Sequence, residues 1–373
     1  MAPGPDPVEL LNAPMVSGLA ERLVSEARQI AGVEGSLYVV DLEGRRLRRV
    51  GSESSLPREI DTTTQLPGPE LPEAAPTLED GLHVVPLCLR GRAVAAMVFS
   101  EAPTGDLGAF GPHAAAALEL AERYTDVFAR ARRREPTTAA AELQQELMPP
   151  RIVPVEGAVL AGSVIPAYDV GGDWLDMCAT PGGAWLGVAD AVGKGAQAAA
   201  IGAIGLAAYR AARRSGEDLP AAAIAIHEAI GSLGLEAIFL SAVLAEWHSE
   251  SRTLRWLRCG GPTPYVWNDA RGLRSLTDGD GAVLGLPGIE PPTDPVEYCV
   301  EGDERIVLVS DGVLERIGAS DEQFGEDGLR VALAAAPGGG APELTAVVLD
   351  AVHAAGDQPL RDDATVLVVS PGD

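Results

Sequence analysis

The stretch GGDWLDMCATPGGAWLGVADAVGKG, residues 171–195, constrains the fold of this chain more than any other part of its sequence. It sets several carboxylates among glycines, on what the pattern predicts to be two short strands joined by a tight turn. Asp and Gly are both poor strand residues, so something other than strand stability selects them here. The dipeptide Pro181-Gly182 suits a type II turn and therefore predicts the hinge of a β-hairpin.

This hinge determines which residues pair across the hairpin. Asp173 and Asp190 are predicted to face each other directly, unless a bulge shifts the register. Directly opposed residues have Cβ atoms about 5 Å apart, and like charges there are destabilising. The pair therefore needs a cation between its members. Asp176 has the opposite parity and is predicted to point to the other face of the sheet.

Two further acidic sites resemble this one. The run RIVLVSDGVLE ends an apolar strand at Asp311, and the run LRDDATVLVVS begins another strand after Asp362 and Asp363. Taken singly, an Asp at a strand end is most often a turn residue. Four such sites, two of them opposed, instead favour a shared cation site. Carboxylate ligands without His or Cys select Mg²⁺ or Mn²⁺.

The net charge excludes some partners. With 54 acidic residues against 28 Lys and Arg, the formal net charge is −26. Such a surface repels nucleic acid and anionic membranes, and neither is an expected partner. Solubility alone also accounts for the charge. The four cysteines have no CxxC spacing, which argues against a zinc site or a disulfide framework and suits a reducing cytosol.

No targeting or membrane-spanning segment is predicted. The N-terminus, MAPGPDPVELL, has no basic region followed by an apolar run. The most apolar helical stretch, Ala196–Tyr209, is too short and too rich in Ala and Gly to span a bilayer. We therefore expect a soluble, cytoplasmic protein, and 373 residues are enough for two domains.

The N-terminal part is predicted to contain a helix and two hairpins. Residues 1–14 are Pro-rich and expected to be loose, and a helix is predicted at 18–33 with Leu19, Leu23, Ala27 and Ile30 on its apolar face. The hairpins are predicted at 36–51 and 82–100, separated by a segment, 52–80, that is rich in Pro, Glu and Thr.

A helical connector is predicted next. One helix is expected from about Pro112 to Arg134, with Leu120, Tyr124, Val127 and Ala131 spaced as on a coiled-coil seam. This seam fits a homodimer and fits packing against its own domain equally well. Pro136 interrupts the helix, and Thr137 or Thr138 can cap a second helix, 139–148. We place the connector at residues 133–150.

From residue 158 onward the pattern predicts a mixed α+β layered domain with largely antiparallel strands, because no βαβ alternation is present. Two helices are expected at Ala196–Arg214 and Pro220–Leu233. The predicted strands are Val159–Pro166, Trp185–Asp190, Phe239–Trp247, Leu254–Cys259, Glu304–Ser310 and Asp363–Val369.

These motifs together resemble the metal-dependent (PPM-type) Ser/Thr protein phosphatases, and most closely the SpoIIE branch, bacterial phosphatases that control sigma-factor regulators. The resemblance covers residues 143–369 and rests on motifs in family order. The motifs are LQQELMP, GGDWLD, VADAVGKG, AVLGLPG, VSDGVLE, FGEDGL and DDATVLVV.

The resemblance implies a β-sandwich flanked by helices, spanning residues 151–373, with two Mn²⁺ or Mg²⁺ ions at one edge. The ions would activate water and neutralise the phosphoryl oxygens. The resemblance assigns Asp173 and Asp311 as ligands and Asp190 as the carboxylate that bridges the two ions. It adds the main-chain carbonyl of Ala191 and closes the site with Asp362, or with the adjacent Asp363 if the alignment slips by one residue.

The chain departs from the family pattern at two places. Gly261, in CGGPTPYVW, replaces an expected His, and FLSAVL, residues 239–244, stands where a Thr is common. Neither position is an implied metal ligand, so these departures bear on substrate fit or regulation. Residues 15–132 resemble a GAF domain, whose sensory pocket the Pro-rich segment would have to cover.

The sequence thus predicts a phosphatase that hydrolyses phosphoserine or phosphothreonine on a regulatory protein and is controlled by an N-terminal sensory domain. The resemblance alone implies the substrate, an anti-sigma-factor antagonist. Two alternatives stay open. One is a weakly active or inactive regulator that binds a partner, and the other is a hydrolase of small phosphoesters.

Overall fold

The computed structural model describes residues 18–42, 44–51, 54–62, 81–133, 138–166, 171–279, 281–318, 321–356, 358 and 360–372. The predicted loose N-terminus and most of the Pro-rich segment lie outside these residues. The chain divides into two compact units, Met1–Pro136 and Thr137–Asp373. Residues 139–147, which the sequence analysis assigned to a connector, form a helix within the second unit.

The first unit is a five-stranded antiparallel sheet with helices. The strand order is β3-β2-β1-β5-β4. Its elements are α1 (Leu19–Ala31), β1 (Gly35–Val40), β2 (Arg46–Arg49), β3 (Glu59–Asp61), β4 (His83–Leu89), β5 (Arg92–Phe99), α2 (Phe110–Ala121) and α3 (Val127–Arg132).

The apolar face predicted for α1 is confirmed, since Leu19, Leu23 and Ala27 are buried in the core of this unit. The helix ends at Gly32, whose left-handed backbone (φ 71°) is a common helix C-terminal conformation. The second predicted hairpin also forms, with Arg90 and Gly91 at its turn.

The single helix predicted from Pro112 to Arg134 is wrong. The chain leaves the helical path after Ala121, and the N–H of Val127 bonds to Thr125 Oγ1 (3.3 Å) where α3 begins. Phe128 then enters the core of the first unit, while Leu120 and Tyr124 are 53% and 78% exposed. Leu120 and Val127 therefore lie on different helices, and the expected seam does not form one continuous stripe.

The second unit contains two antiparallel sheets and six helices among its described residues. Its helices are α4 (Ala139–Leu147), α5 (Gly195–Arg214), α6 (Leu219–Gly231), α7 (Asp311–Leu314), α8 (Gly325–Leu333) and α9 (Ala341–Ala354). Its strands are β6 (Ile152–Val155), β7 (Ala158–Ile165), β8 (Trp174–Thr180), β9 (Gly183–Ala191), β10 (Leu240–His248), β11 (Thr253–Cys259), β12 (Tyr265–Asn268), β13 (Gly272–Ser275), β14 (Val296–Cys299), β15 (Arg305–Val309) and β16 (Ala364–Pro371).

The two sheets pack face to face. One has the order β14-β11-β10-β9-β8 and the other β13-β12-β15-β16-β7-β6. Leu175 and Leu186 of the first sheet meet Leu308 and Leu367 of the second in a shared apolar core. Helices α5 and α6 cover the outer face of the first sheet, and α8 and α9 cover that of the second. The predicted antiparallel α+β sandwich flanked by helices is confirmed.

Within the described ranges, no helix is long and apolar enough to cross a membrane.

Candidate metal centre

The hairpin formed by β8 and β9 has the register that its turn predicted. Thr180 pairs with Gly183 at the turn and Trp174 pairs with Ala189 at the other end. Gly182 has the positive φ (78°) that the second central position of a type II turn requires. One step beyond Trp174 and Ala189 this register places Asp173 opposite Asp190, and an oxygen of each carboxylate lies within 4.8 Å of the other.

Three of the predicted carboxylates converge. Asp173, Asp190 and Asp362 each offer an oxygen atom, and these oxygens lie within 4.8 Å of one another. Asp311 begins α7, and its charge acts on Asp190. The ends of the hairpin, of β15 and of β16 therefore bring the four acidic sites to one edge of the sandwich.

Burial and mutual repulsion raise the pKa values of three of these carboxyl groups. Loss of solvent, followed by the charges of Asp311 and Asp362, raises the pKa of Asp190 to about 7. Burial, together with the charges of Asp190 and Asp363, raises the pKa of Asp173 well above its usual value. The pKa of Asp311 is raised as well, first by burial. Such a cluster stores electrostatic repulsion that a bound divalent cation would remove.

Asp173 shows most directly that the site fits a cation. The residue is 2% exposed, and its Oδ2 accepts a hydrogen bond from Thr365 Oγ1. Its Oδ1 is buried without a hydrogen-bond partner among the residues that the structure describes. Because buried polar atoms are normally paired, an orphaned carboxylate oxygen within an acidic cluster suits a metal ligand.

The structure distinguishes Asp362 from its neighbour Asp363. Asp363 is fully buried, and its Oδ1 accepts the N–H of Gly171 (3.0 Å) while its Oδ2 accepts Gln144 Nε2 (2.6 Å). Asp362 instead joins the cluster with Asp173 and Asp190. The geometry thus favours Asp362 as the ligand of the pair and gives Asp363 a role in holding the loop.

The two glycines before Asp173 allow this close approach. A Cβ on Gly171 would lie 2.8 Å from Asp362 Oδ1, and a Cβ on Gly172 would lie 2.5 Å from the Cβ of Ala191 and 3.0 Å from its carbonyl oxygen. Any larger residue would push the loop away from these groups. The carbonyl of Ala191 therefore lies beside the residue that precedes Asp173.

Asp176 points to the opposite face of β8, as its parity predicted. Its carboxylate accepts hydrogen bonds from Arg210 Nε and Nη2 (2.9 and 2.7 Å) and from Arg213 Nη1. Both arginines belong to α5, which packs on that face. Asp176 is thus neutralised by two cations and takes no part in the acidic cluster.

A cavity of about 440 Å³ opens beside the cluster. Its wall includes Asp362, a member of the acidic cluster, and Gly312, which follows Asp311 in the sequence. Its polar lining includes Lys194, Glu315, Arg316, Asp321, Gln323 and Arg361. Lys194 is held there by a hydrogen bond from its Nζ to the carbonyl of Arg361. The cavity offers room for a substrate side chain next to the carboxylates.

The two departures from the family pattern lie near one another. Residues 239–244 include the start of β10, and Gly261 lies two residues beyond the end of β11. Ser241 pairs with Asp190 in the ladder between β10 and β9. A Cβ on Gly261 would be 3.4 Å from the backbone of Ala242, an ordinary contact. The fold therefore leaves space for a side chain at position 261.

Sequence reasoning assigned no role to several residues that shape the site. Gln144 lies in the LQQELMP motif, and Ser310 and Thr365 flank the predicted ligands. Ser310 directly precedes Asp311 in VSDG and Thr365 follows Asp363 by two residues in DDAT, so the last two could have been found from these motifs. Gln144 carried no such local signal, because its contacts lie 29 and 219 residues away along the chain.

Comparison with solved structures defines the class of fold. The SiaA-PP2C domain of Pseudomonas aeruginosa superimposes with a TM-score of 0.53 at 22% identity, covering 63% of this chain and 94% of that domain. The RsbU and RsbW domains of a Mycobacterium tuberculosis protein give 0.49 at 22% identity, covering 60% of this chain and 62% of that chain. The catalytic domain of the phosphatase PstP with two manganese ions gives 0.44 at 18%, covering 58% of this chain and 100% of that domain. The match to the SiaA-PP2C domain shows that the second unit has the PP2C-type phosphatase fold.

The match to a family model covers a smaller part of the chain than the structural match to the SiaA domain does. The family described as Stage II sporulation protein E (SpoIIE) matches residues 180–371, just over half of the chain. The chain belongs to the SpoIIE family, as its motifs predicted. A search of curated proteins found no significant match.

Proposed function

We propose that this chain is a Mn²⁺- or Mg²⁺-dependent phosphatase that removes phosphate from phosphoserine or phosphothreonine on a regulatory protein. The observation that carries the proposal is the cluster that buried Asp173 forms with the half-buried Asp190 and Asp362, with one Asp173 oxygen left unpaired among the described residues. Membership of the SpoIIE family supports the class of reaction. An all-carboxylate donor set suits hard divalent cations.

In this proposal two ions share the acidic cluster. Asp190 would be shared by both ions, Asp173 and Asp311 would be further carboxylate ligands, and Asp362 would close the site. The main-chain carbonyl of Ala191 completes the set from this chain. Asp363 stays outside it, because its carboxylate oxygens already accept hydrogen bonds from Gly171 and Gln144.

When bound, the ions would supply an activated water molecule and neutralise the phosphoryl oxygens. The chain itself contributes shape and exclusion of water. Burial of Asp173 and the Asp173–Thr365 hydrogen bond hold one carboxylate in a single orientation. The cavity beside Asp362 would receive the phosphorylated side chain. Its wall balances three cationic residues against three acidic ones, so attraction of the phosphate would come from the metal ions. No side chain is needed as a covalent nucleophile.

The substrate class in this proposal is a phosphorylated anti-sigma-factor antagonist. Family membership supports it, and the net charge of −26 fits a protein partner better than nucleic acid. We further propose that the first unit is a GAF-like sensory domain that regulates the phosphatase, and that the whole protein is cytoplasmic. This unit has five strands and three helices among its described residues.

The test is phosphate release from a phosphoserine-carrying antagonist protein at micromolar concentration, with Mn²⁺ or with EDTA. We expect turnover that requires the metal and exceeds turnover of a chromogenic phosphoester at equal concentration. The Asp190→Ala variant is the negative control. Preference for the small ester would identify a small-molecule phosphoesterase. Binding of the antagonist without turnover would identify a non-catalytic regulator.

A further inference from the structure

Helix α4 places one buried amide against the acidic edge of the sandwich. Gln144 is 4% exposed, and its Nε2 donates to the main-chain carbonyl of Asp173 (3.0 Å) and to Asp363 Oδ2 (2.6 Å). Both partners are acceptors, so only the NH₂ end of the amide can face them. A single side chain thus joins the loop before β8 to the loop before β16.

The amide extends a hydrogen-bond network that already links the acidic segments. Asp363 Oδ1 accepts the N–H of Gly171, and the carbonyl of Asp363 accepts Ser310 Oγ (3.3 Å). Ser310 Oγ in turn accepts the N–H of Thr365 (3.0 Å). These bonds stay within the segments that carry the carboxylates. Gln144 reaches the network from a separate helix.

The chemistry of this residue suits a centre that must keep its negative charge. A lysine or arginine at this position would neutralise Asp363 and repel a cation nearby. A neutral amide instead donates hydrogen bonds and leaves the charge in place. Gln144 Oε1 is buried without a partner among the described residues, which is costly for stability. A side chain that is costly to bury and still spans two loops points to a role in the site.

We propose that Gln144 is a positioning residue of the metal centre: its amide fixes the Asp173 backbone and Asp363, and thereby the spacing between Asp173 and Asp362. The inference rests on the proposed function, because it assumes that these carboxylates bind Mn²⁺. Outer partners of metal ligands typically change metal affinity by about 10- to 100-fold when they are removed. Helix α4 then belongs to the metal centre as well as to the packing of the unit.

The test is Mn²⁺ binding by the full chain, measured by calorimetry after removal of metal with EDTA. Gln144→Ala and Gln144→Leu both remove the donor, but Leu keeps nearly the same volume. Gln145→Ala is the matched control, since Gln145 follows on the same helix and its side-chain Oε1 accepts a hydrogen bond from Arg151 Nη2 (3.3 Å), away from the acidic cluster. We expect both Gln144 variants to bind Mn²⁺ about 10- to 100-fold more weakly. The control should stay within about twofold of the wild type, well below that range.

Melting curves in EDTA separate positioning from folding. If Gln144→Ala fails to fold, the Leu variant still decides the question, because it preserves the packing of α4. Wild-type affinity in the Leu variant would overturn the inference. Equal loss in both Gln144 variants, with the Leu variant melting near the wild type, supports it. If the wild type binds no Mn²⁺, the proposed function itself fails; if the wild type binds Mn²⁺ and the Leu variant binds equally well, only the role of Gln144 fails.

Discussion

At the scale of single residues, Asp173 and Asp176 lie on opposite faces of the strand and have different surroundings. Asp173 faces the acidic cluster with one oxygen unpaired among the described residues, whereas Asp176 is held by two arginines of α5. The two residues are three positions apart, and side chains alternate along a strand, so their carboxylates point to opposite faces. The first part of the β8–β9 hairpin thus offers a carboxylate proposed to bind metal and a structural one for direct comparison.

We expect Asp190→Ala to abolish Mn²⁺ binding and phosphate release, since it removes the carboxylate proposed to bridge both ions. Asp176→Ala should keep Mn²⁺ affinity and lose stability instead. Removing one member of a buried ion pair costs about 3 kcal/mol, because unpaired charges stay behind. Calorimetric titration and melting curves of the two purified variants check this. Equal loss of Mn²⁺ affinity in both would contradict the assignment of the two faces.

The raised pKa values predict how the metal-free protein responds to pH. Burial raises the pKa of Asp190 to about 7, so the folded state holds its proton more tightly than the unfolded state, in which the pKa is near 4. This contribution to stability is complete below pH 4 and is lost as the pH rises through about 7. We therefore expect the melting temperature in EDTA to fall between pH 5.5 and 8.

The Asp190→Asn variant is the control for this pH dependence, because its amide cannot titrate. Its melting temperature in EDTA should fall less steeply over the same range, and it should exceed that of the wild type at pH 8. Addition of Mn²⁺ at pH 8 should raise the wild-type melting temperature in proportion to binding. Parallel pH curves for the wild type and the Asn variant would show that Asp190 titrates normally.

At the scale of secondary-structure elements, α5 lies directly against the loop that carries Asp173. Gly202 has no room for a side chain, since a Cβ there would lie 2.4 Å from the carbonyl oxygen of Gly172. This contact couples the helix to the acidic cluster, because any shift of α5 at Gly202 must move the residue before Asp173.

We expect Gly202→Ala to weaken Mn²⁺ binding at least tenfold by displacing Gly172, a loss in the range seen for outer partners of metal ligands. Gly205→Ala is the matched control on the same helix. A Cβ there would lie 2.9 Å from Leu240 Cδ1, the end of a flexible side chain that can move, and at an ordinary contact distance of 3.7 Å from side-chain carbons of Ile226 and Ile230. The control also gains about 1 kcal/mol of helix propensity. Wild-type Mn²⁺ affinity in both variants, measured by calorimetry, would show that α5 is not coupled to the site.

The elements that sequence reasoning predicted best are those with strong local signals. The Pro181-Gly182 turn fixed the hairpin register, and Thr138 caps α4 through its bond to the N–H of Ala141 (3.2 Å), one of the two caps expected. The helix predicted across residues 112–134 failed because Thr125 bonds locally and Phe128 is drawn into the core. Gln144 could not be assigned a role, since its partners are distant in sequence.

At the scale of the whole molecule, each unit has its own apolar core. The clusters around α1 and its sheet contain only residues of the first unit, and the sandwich core and its two helical layers contain only residues of the second. Units built in this way are expected to fold separately. The broken helix removes the continuous seam that suggested a dimer, leaving Leu120 and Tyr124 as its exposed part.

Sedimentation at micromolar concentration tests association of the full chain. If exposed Leu120 and Tyr124 mediate a homodimer, the wild type sediments as a dimer and a Leu120→Asp, Tyr124→Ser variant sediments as a monomer. The residues are exposed, so both proteins should melt at nearly the same temperature. A wild type that is monomeric under these conditions would exclude a dimer of micromolar affinity, and regulation would then have to act within one chain.

Two truncations, one on each side of α4, separate folding of the second unit from assembly of its metal centre. Residues 137–373 retain α4 and Gln144, whereas residues 151–373 keep both sheets and all four proposed carboxylate ligands but lose that helix. We expect the longer fragment to bind Mn²⁺ as the full chain does. The shorter one should lose affinity by at least tenfold, because the Gln144 amide then no longer bridges Asp173 and Asp363.

Circular dichroism of both fragments must first show folded sheets, and turnover of the longer fragment then reports on the first unit. If its turnover differs from that of the full chain by about 5- to 150-fold, the range typical of allosteric coupling, the first unit regulates the phosphatase. Equal turnover would leave the first unit without a regulatory role under those conditions. Equal Mn²⁺ affinity in the two folded fragments would show instead that the sheets alone assemble the centre, and that α4 serves packing only.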